Sequence, residues 1–346
     1  SAWSNLYKQA ANADHMRQLA IRKEDPNYEA IALTLRTLFL QNIADLFGDV
    51  PCSEAFKGPS ENVKQPVFDT QEQVYRSLLA DLERANSLYD NSVALSSATR
   101  DLLYKGDLTK WRKFNNSLYL RLLMRLSNRN AAVGVAAKIA EVFDNPDKYP
   151  VFTGNEDNAE MRYDEVEPFV NYWGTKLNTQ FTTSTGRRPA EQIIGMMDKS
   201  GDPRIGIWFL QPSGAEGWKG GQSGIEAQDA DFPGIANRNK ATLGEAGAPY
   251  ALMKYDEVLF IFAEAMQRGW IAGYAGTYYR NSEKGNWRIE ASNLKDDNSR
   301  AEGASFDSKL TPTKQTDAQA EYTYRRGDST SVSTAVGFQR RRHLGG

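Results

Sequence analysis

Cysteine and histidine are nearly absent from this sequence of 346 residues, which has one cysteine and two histidines. Cys52 has no second cysteine with which to form an internal disulfide. His15 and His343 lie at opposite ends of the chain, so they do not form the closely spaced His/Cys set that binds zinc. Zinc chemistry and Ser-His-Asp catalysis are therefore poorly supported, and we predict neither a metal nor a cofactor.

The sequence also lacks an excess of charge of either sign and any long apolar run. Its 42 Lys and Arg residues against 44 Asp and Glu give a net charge of −2, so it presents no basic field that would hold a nucleic acid. The arginines at 340–342 are interpreted as a solvated tail. The longest apolar run, 258–263, is far shorter than the roughly 18 residues that a membrane-spanning helix needs. We expect neither a nucleic-acid partner nor a membrane span.

Apolar residues recur at three- and four-residue steps in several segments, which is the pattern of amphipathic helices. The clearest segment ends before Gly48, which can take the left-handed conformation, and before Pro51, which prevents the helix from resuming. The segments predicted as helices are 28–47, 69–90, 109–128, 131–143, 189–199 and 251–268. Because each apolar stripe needs a partner, we predict an all-α fold of antiparallel helix pairs, with Trp111 and Trp270 in the core.

Two regions depart from the helical pattern. Residues 150–250 are rich in loops, with glycines and prolines scattered among isolated aromatics, and this aromatic content indicates packing or ligand binding, not a linker. Beyond about residue 290 the apolar periodicity fails and polar residues predominate, so little of this segment can build a core. We predict one helical domain over 1–290 and an atypical polar segment, incomplete or disordered, over 291–346.

Aromatic residues flanked by amide or guanidinium side chains mark several places in the loop-rich region. Sugar rings stack their C–H faces on aromatic planes, while amides and arginines bind the hydroxyl groups, so this combination suits saccharide capture. The alternative is that such aromatics only anchor loops to the helical body. Glycines on both sides favour an exposed indole at Trp218, which is the first candidate. The predicted ligand-binding residues are Trp218, Gln222, Tyr172, Trp173, Phe232 and Arg238, with Asn171, Asn178 and Asn237 beside them.

Two arginines in the segment 109–128 suggest either a structural brace or a clamp for an anionic substrate. Arg121 and Arg125 lie one turn apart beside the apolar face, so each guanidinium group needs a carboxylate partner. We predict the brace. The candidate partners are Asp45, Asp49, Glu257 and Glu264.

Two of these carboxylates also raise the question of glycoside hydrolysis. Glu257 and Glu264 are seven residues apart on one helix, which sets their Cα atoms about 10.5 Å apart. Paired catalytic carboxylates usually come from different elements, so that a sugar fits between them. Ion pairing across a helix interface is the favoured interpretation, and we predict no enzyme activity.

Four ordered stretches carry a family resemblance. Residues 27–55 contain a helix that ends in Asp-Leu-Phe-Gly-Asp-Val-Pro, and residues 110–127 carry a tryptophan followed by paired arginines. Gly-Asp-Pro-Arg at 201–204 and the run Tyr-Asp-Glu-Val-Leu-Phe-Ile-Phe-Ala-Glu-Ala at 255–265 complete the set. Over roughly residues 3–290, the chain resembles the SusD/RagB family of nutrient-binding outer-membrane lipoproteins.

The resemblance implies a single helical domain of degenerate tetratricopeptide-like helix pairs. It implies attachment to the extracellular face of the outer membrane by a lipid anchor outside these residues, and a position over a SusC-type TonB-dependent transporter. The expected function is capture of a nutrient, an oligosaccharide, without catalysis. A peptide- or protein-binding helical scaffold and a helical glycan-active hydrolase are the alternatives. The chain departs from the family after about residue 290, where a further helical segment would be expected.

Overall fold

The computed structural model of the chain describes residues 1–163, 166, 170–171, 188–211, 214–224, 234–243 and 247–272, and the backbone of five strands between residues 275 and 341. The chain divides into two compact units. The first comprises Ser1–Ala159, Met253–Tyr278 and Ala291–Ser299, and the second comprises Glu160–Leu252, Tyr279–Glu290 and Arg300–Gly346. The domain boundaries inferred from the sequence stay a prediction.

Helices dominate the described residues. The helices are α1 Ala2–Arg22, α2 Pro26–Phe47, α3 Gly58–Glu61, α4 Gln71–Leu88, α5 Leu108–Arg125, α6 Asn130–Val133, α7 Val135–Asp144, α8 Glu191–Lys199, α9 Ile205–Trp208, α10 Lys240–Leu243 and α11 Tyr255–Gln267. The helices predicted at 28–47, 69–90, 109–128, 189–199 and 251–268 correspond to α2, α4, α5, α8 and α11. The mostly helical fold is therefore confirmed.

Strands account for the remaining regular structure. They are β1 Ala159–Met161, β2 Phe209–Leu210, β3 Asn237–Arg238, β4 Tyr250–Met253, β5 Ala275–Ser282, β6 Gly285–Ser292, β7 Ser305–Thr311, β8 Asp317–Arg326 and β9 Val332–Arg341. Strand β8 pairs antiparallel with both β7 and β9. The side chains beyond residue 290 lie outside the described residues, so the expected loose packing of this segment stays a prediction.

Three details differ from the sequence-based expectation. The segment 131–143 is two helices, because Gly134 adopts a left-handed conformation (φ 72°) between α6 and α7. Residues 251–253 belong to strand β4, so the last predicted helix begins only at Tyr255. Helix α1 was not predicted, since the residues it buries are mostly small alanines, which give a weak apolar stripe.

Helix α2 lies at the centre of the first unit, where it packs against α1, α4 and α5. The sequence predicted one buried apolar stripe on this helix, whereas the structure buries it on nearly every side. Leu46 and Phe47 at its end are the exception, because they are 62% and 46% exposed although the pattern placed them in the core. Among the described helices, α2 alone has the length and hydropathy of a membrane span, and 67% of that window is buried inside the fold, as in a core helix.

Burial of α2 requires partners for its polar side chains. The Thr34 hydroxyl donates to the Asn115 carbonyl oxygen on α5 (Oγ1···Oδ1 2.9 Å) and lies 3.0 Å from the Tyr89 hydroxyl. The Asn115 amide in turn donates to the Leu82 carbonyl of α4 (2.9 Å). Burial raises the pKa of the Tyr89 phenol, which keeps this group neutral. The network joins three helices inside the core.

The two tryptophans predicted in the core have different positions. Trp111 is 4% exposed, and its indole N–H donates to the Asp101 carboxylate (2.7 Å). Trp270 is only half-buried, and the Arg268 guanidinium lies over its ring, 5.2 Å from the centroid. The prediction is confirmed for Trp111, whereas Trp270 is a boundary residue.

The Gly-Asp-Val-Pro turn after α2 is held by one carboxylate. Asp69 accepts hydrogen bonds from the backbone N–H groups of Cys52 and Ser53 (both 2.8 Å) and from the Ser53 hydroxyl (2.6 Å). Burial by itself raises the pKa of Asp69, but the hydrogen bonds from Ser53 and Cys52 together outweigh it and hold the pKa below its usual value. The ionised carboxylate therefore stabilises the turn.

We expect Asp69→Asn to lower the free energy of unfolding by about 1–2 kcal/mol at pH 7, because an amide cannot accept all three bonds. A depressed carboxyl pKa contributes stability that is present above the unfolded-state pKa of about 3.9 and is lost as pH falls through the folded value. The difference from the parent should therefore shrink at pH 3. Thermal melts at both pH values measure it, with the exposed Asp144→Asn as control. An equal deficit at pH 3 and pH 7 would contradict a role for the charge.

Candidate ligand-binding site

Two of the predicted site residues, Trp218 and Arg238, lie beside a small apolar cluster in the second unit. Its buried members are Ile194 and Met197 of α8, Phe209 of β2 and Ala236. Three partly buried side chains, Ile205, Trp208 and Trp218, pack against this cluster. The cluster therefore fixes two indole rings at the edge of a hydrophobic core.

Backbone hydrogen bonds hold the glycine-rich loop that carries Trp218. Gly221 donates to the Pro189 carbonyl and accepts from the Glu191 N–H, which begins α8 (both N···O 2.8 Å). The Ala236 N–H donates to the Lys219 carbonyl (2.8 Å). At Gly220 a Cβ atom would lie 2.6 Å from the Ala190 carbonyl carbon, so no larger residue fits. This glycine serves close backbone packing.

Trp218 is therefore not lifted clear of the body, which corrects the expectation of a fully exposed indole. It is half-buried, because one part of the ring packs against the cluster. Gln222 is exposed just after the point where the loop meets α8. Arg238 is half-buried on β3, where its backbone lies opposite Phe209 of β2 in antiparallel register.

The other predicted site residues divide into two groups. Tyr172, Trp173 and Phe232, with the flanking Asn178, lie outside the described residues. Asn171 is 6% exposed, and its amide donates to the Ala248 carbonyl (2.7 Å). This side chain therefore anchors the backbone at Ala248. The structure thus brings Trp218 and Trp208 to one cluster and leaves the grouping of the remaining candidates as a prediction.

Trp208 is a candidate that sequence reasoning did not select. The Arg204 guanidinium stacks over its ring, 5.0 Å from the centroid, while Arg204 also pairs with the buried Asp202 carboxylate. The signal was present in the sequence, since the Gly-Asp-Pro-Arg motif places its arginine one helical turn before this tryptophan. A stacked arginine beside an indole offers N–H donors next to an apolar face.

The two arginines of α5 lie in the first unit and form ion pairs. Arg121 makes a bidentate pair with Glu257 of α11, with Nε···Oε1 at 2.5 Å and Nη2···Oε2 at 2.6 Å. Arg125 pairs with Asp45 of α2 (Nη2···Oδ2 2.7 Å). Two of the four predicted partners are therefore confirmed, and the pairs connect α5 with α11 and with α2.

The other two carboxylates have different roles. Glu264 pairs with Arg268 on its own helix, one turn away (2.7 Å), so the prediction that it bridges a helix interface is wrong. Its side chain is 44% exposed and reaches a cation of the same helix. Asp49 accepts a hydrogen bond from the Gln71 N–H at the start of α4 (2.8 Å).

The two carboxylates considered for glycoside hydrolysis are both engaged in ion pairs. Each carboxylate of the Glu257 and Glu264 pair is bound to an arginine. Among the described residues, no group of His, Cys, Asp or Glu side chains could hold a metal ion.

We expect Arg121→Met to lower the free energy of unfolding by about 1–3 kcal/mol, since it leaves the partly buried Glu257 without its bidentate partner. Arg125→Met should cost about 1 kcal/mol or less, because that side chain is 48% exposed, against 16% for Arg121. Denaturant unfolding of both variants tests the ranking. Arg76→Met, which removes a surface pair within α4, is the control. A loss for Arg125→Met as large as that for Arg121→Met would contradict this account.

The chain shares its fold with solved structures of known proteins. No curated protein sequence matches the chain. Among solved structures, a SusD homologue from Bacteroides fragilis is 26% identical, with a TM-score of 0.66, over 78% of this chain and 59% of that one. A chitin-binding protein is also 26% identical, with a TM-score of 0.64, over 79% and 59%. A third solved structure, from Bacteroides vulgatus, is 24% identical and shares the fold, with a TM-score of 0.68 over 78% of this chain and 60% of that one.

The chain thus spans about three fifths of the length of these structures. A sequence model of the SusD-like family, described as starch-binding and associating with the outer membrane, matches residues 1–316. The match continues past residue 290, where the motif-based resemblance ended. With nearly the whole sequence covered and the fold shared with SusD homologues, this chain belongs to the SusD-like family.

Proposed function

We propose that the protein captures oligosaccharide at the outer surface of the cell and delivers it to a SusC-type TonB-dependent transporter. The observation that carries this proposal is the match to a family described as starch-binding and outer-membrane-associated. The similarity to a chitin-binding protein supports the same ligand class. Attachment to the membrane would come from a lipid anchor outside these residues.

The second unit contains a surface with the chemistry that such a ligand needs. Trp208 and Trp218 rest on the apolar cluster, which fixes their orientation before a ligand arrives. Preordered rings lose little entropy on binding, and their faces stack on the C–H faces of sugars. Arg204, over Trp208, and the exposed Gln222, near Trp218, supply hydrogen-bonding groups.

The same surface supports binding without bond cleavage. Sugar hydroxyl groups are neutral and need both donors and acceptors; an amide provides both, and a guanidinium group adds donors. Hydrolysis would need a raised-pKa acid facing a second carboxylate across the sugar. The described residues around Trp208 and Trp218 are arranged for stacking, so we propose a binding protein with no enzymatic activity.

We expect Gln222→Ala to weaken the binding of maltohexaose or chitohexaose by about 0.5–1.5 kcal/mol without a change in melting temperature, because the side chain is exposed. Trp218→Ala should weaken binding by about 1–3 kcal/mol, a range taken from aromatic stacking on nucleic-acid bases. It should also lower the melting temperature, since the indole packs against the cluster. Isothermal titration calorimetry and thermal melts measure both effects.

The exposed Ser223→Ala, next to Gln222, is the matched control. New reducing ends after incubation with either glycan would overturn the non-enzymatic part of the proposal. If neither glycan binds and an extended peptide does, the protein is a peptide-binding scaffold.

A further inference from the structure

A cleft of about 590 Å³ opens in the first unit, far along the chain from the Trp218 loop. Its polar lining comes from three helices that are distant in sequence. It consists of Gln41, Asn42 and Asp45 of α2, Arg121 and Arg125 of α5, and Glu257 of α11. We refer to these six residues as the polar cleft. Its volume lies within the range of small-molecule binding sites.

The charges of the polar cleft cancel in pairs. Arg121 is bound to Glu257 and Arg125 to Asp45, so the cleft is lined by two ion pairs whose charges cancel. An anionic ligand would approach two carboxylates, and a cationic ligand would approach two guanidinium groups. A neutral ligand avoids both penalties, and ionised groups still form strong hydrogen bonds with its polar groups.

Several hydrogen-bonding groups remain available in the polar cleft. Among the described residues the half-buried Asn42 side chain makes no hydrogen bond, so it offers both a donor and an acceptor. Arg125 uses Nε for Tyr75 (3.3 Å) and Nη2 for Asp45, and a guanidinium group has five N–H donors. The free groups are thus of both kinds, as a polyhydroxylated ligand requires.

The floor of the cleft contains an unsatisfied acceptor. Gln41 is 2% exposed, and its amide N–H donates to Asp45, which fixes the orientation of the amide. Its Oε1 has no hydrogen-bond partner among the described residues. A buried carbonyl oxygen without a donor costs about 1–3 kcal/mol. This oxygen is closed off from solvent in the structure, so the hydrogen-bonding groups that a ligand can reach in the polar cleft are those of Asn42 and Arg125.

The open edge of the polar cleft is apolar and continues into exposed aromatic rings. Leu6 of α1 and Leu46 of α2 line this edge. Trp3 lies one turn before Leu6 on α1, and Phe47 follows Leu46 and contacts the Trp3 ring edge-on, with centroids 5.0 Å apart. Phe68 stacks on Trp3 (6.3 Å) and is 65% exposed. We refer to Trp3, Phe47 and Phe68 as the aromatic rim.

We infer that the polar cleft and its aromatic rim form a second saccharide-binding site on the helical body. One sugar residue places its hydroxyl groups in the cleft, and the next sugars of the chain stack on the rim. This inference rests on the proposed function, since it assigns the same ligand class to another surface. Neutral oligosaccharides fit because the cleft pairs its charges, offers donors and acceptors together, and ends in aromatic faces.

Calorimetric titration of the whole chain with maltohexaose and with chitohexaose tests the inference. We expect two saccharides per chain in the parent protein. Asn42→Ala should weaken one of the two sites by about three- to tenfold, the loss of a hydrogen bond or two, with an unchanged melting temperature. Asn12→Ala, at an exposed position of α1, is the matched control and should change neither site.

Phe68→Ala tests the rim independently, because its exposed ring can be removed with little effect on stability. It should weaken the same site about fivefold or more for the hexasaccharides, by loss of stacking. A monosaccharide fills only the cleft, so its affinity should be the same for Phe68→Ala as for the parent protein. Trp218→Ala should weaken the other site and leave this one intact.

The outcomes separate the inference from the proposed function. A single site that Trp218→Ala weakens and that Asn42→Ala and Phe68→Ala leave unchanged would overturn the inference and keep the proposed function. Binding that depends on Asn42 and Phe68 alone would support the inference and move the saccharide site away from Trp218. Absence of any saccharide binding would overturn both.

Discussion

The burial of α2 is the constraint on which the first unit depends. A helix covered by α1, α4 and α5 needs partners inside the fold for most of its polar groups, because water cannot reach them. Thr37 Oγ1 and Gln41 Oε1 are exceptions, with no hydrogen-bond partner among the described residues. Arg36 shows the consequence: its guanidinium reaches Asp81 on α4 (Nη1···Oδ2 2.5 Å), Asp14 on α1 (Nε···Oδ1 3.3 Å) and the Cys52 carbonyl (3.4 Å). Burial raises the pKa of Asp81, while the Arg36 charge lowers it. One buried cation thus positions two neighbouring helices and the turn after α2.

The same constraint produces the polar cleft at the far end of α2. There the central helix presents Asp45, which accepts hydrogen bonds from the Tyr75 hydroxyl (2.5 Å) and from Gln41 and pairs with Arg125. Burial and the hydrogen bond to Asp45 raise the pKa of Tyr75 to about 12, so the phenol remains a donor. Groups that hold helices together therefore also determine which ligands the cleft admits, since paired charges favour a neutral molecule.

The second unit uses backbone contacts where the first uses side chains. Its glycine-rich loop is fixed by hydrogen bonds to Pro189, Glu191 and Ala236, and Gly220 allows the close approach. These contacts hold the loop in one conformation. A loop held in this way presents the proposed ligand-binding residues Trp218 and Gln222 in a defined arrangement, which would lower the entropic cost of binding. In both units, the proposed binding residues lie beside groups that stabilise the fold.

The sequence by itself determined the main helices and the family motifs. The apolar residues of α2, α4, α5 and α11 recur with helical spacing, so these segments form helices that bury one face whatever they pack against. The turn at Gly48 needs a residue that tolerates a positive φ (77°). The capping box of Thr70 and Gln73 is likewise local and begins α4. Such features depend on neighbours within a few residues, so their outcome can be predicted without the rest of the chain.

The tertiary structure determined which side chains contact each other. Glu257 and Glu264 lie on the same face of α11. Glu257 pairs with an arginine of α5, whereas Glu264 pairs with an arginine that follows on its own helix. The position of α5 determines which of the two glutamates it contacts. Trp218 is flanked by glycines, and the cluster formed by α8, β2 and Ala236 still half-buries it. Phe47 continues an apolar stripe and is nevertheless 46% exposed, although its ring contacts Trp3 of α1. Exposure and pairing depend on contacts between segments distant in sequence, and no local pattern encodes them.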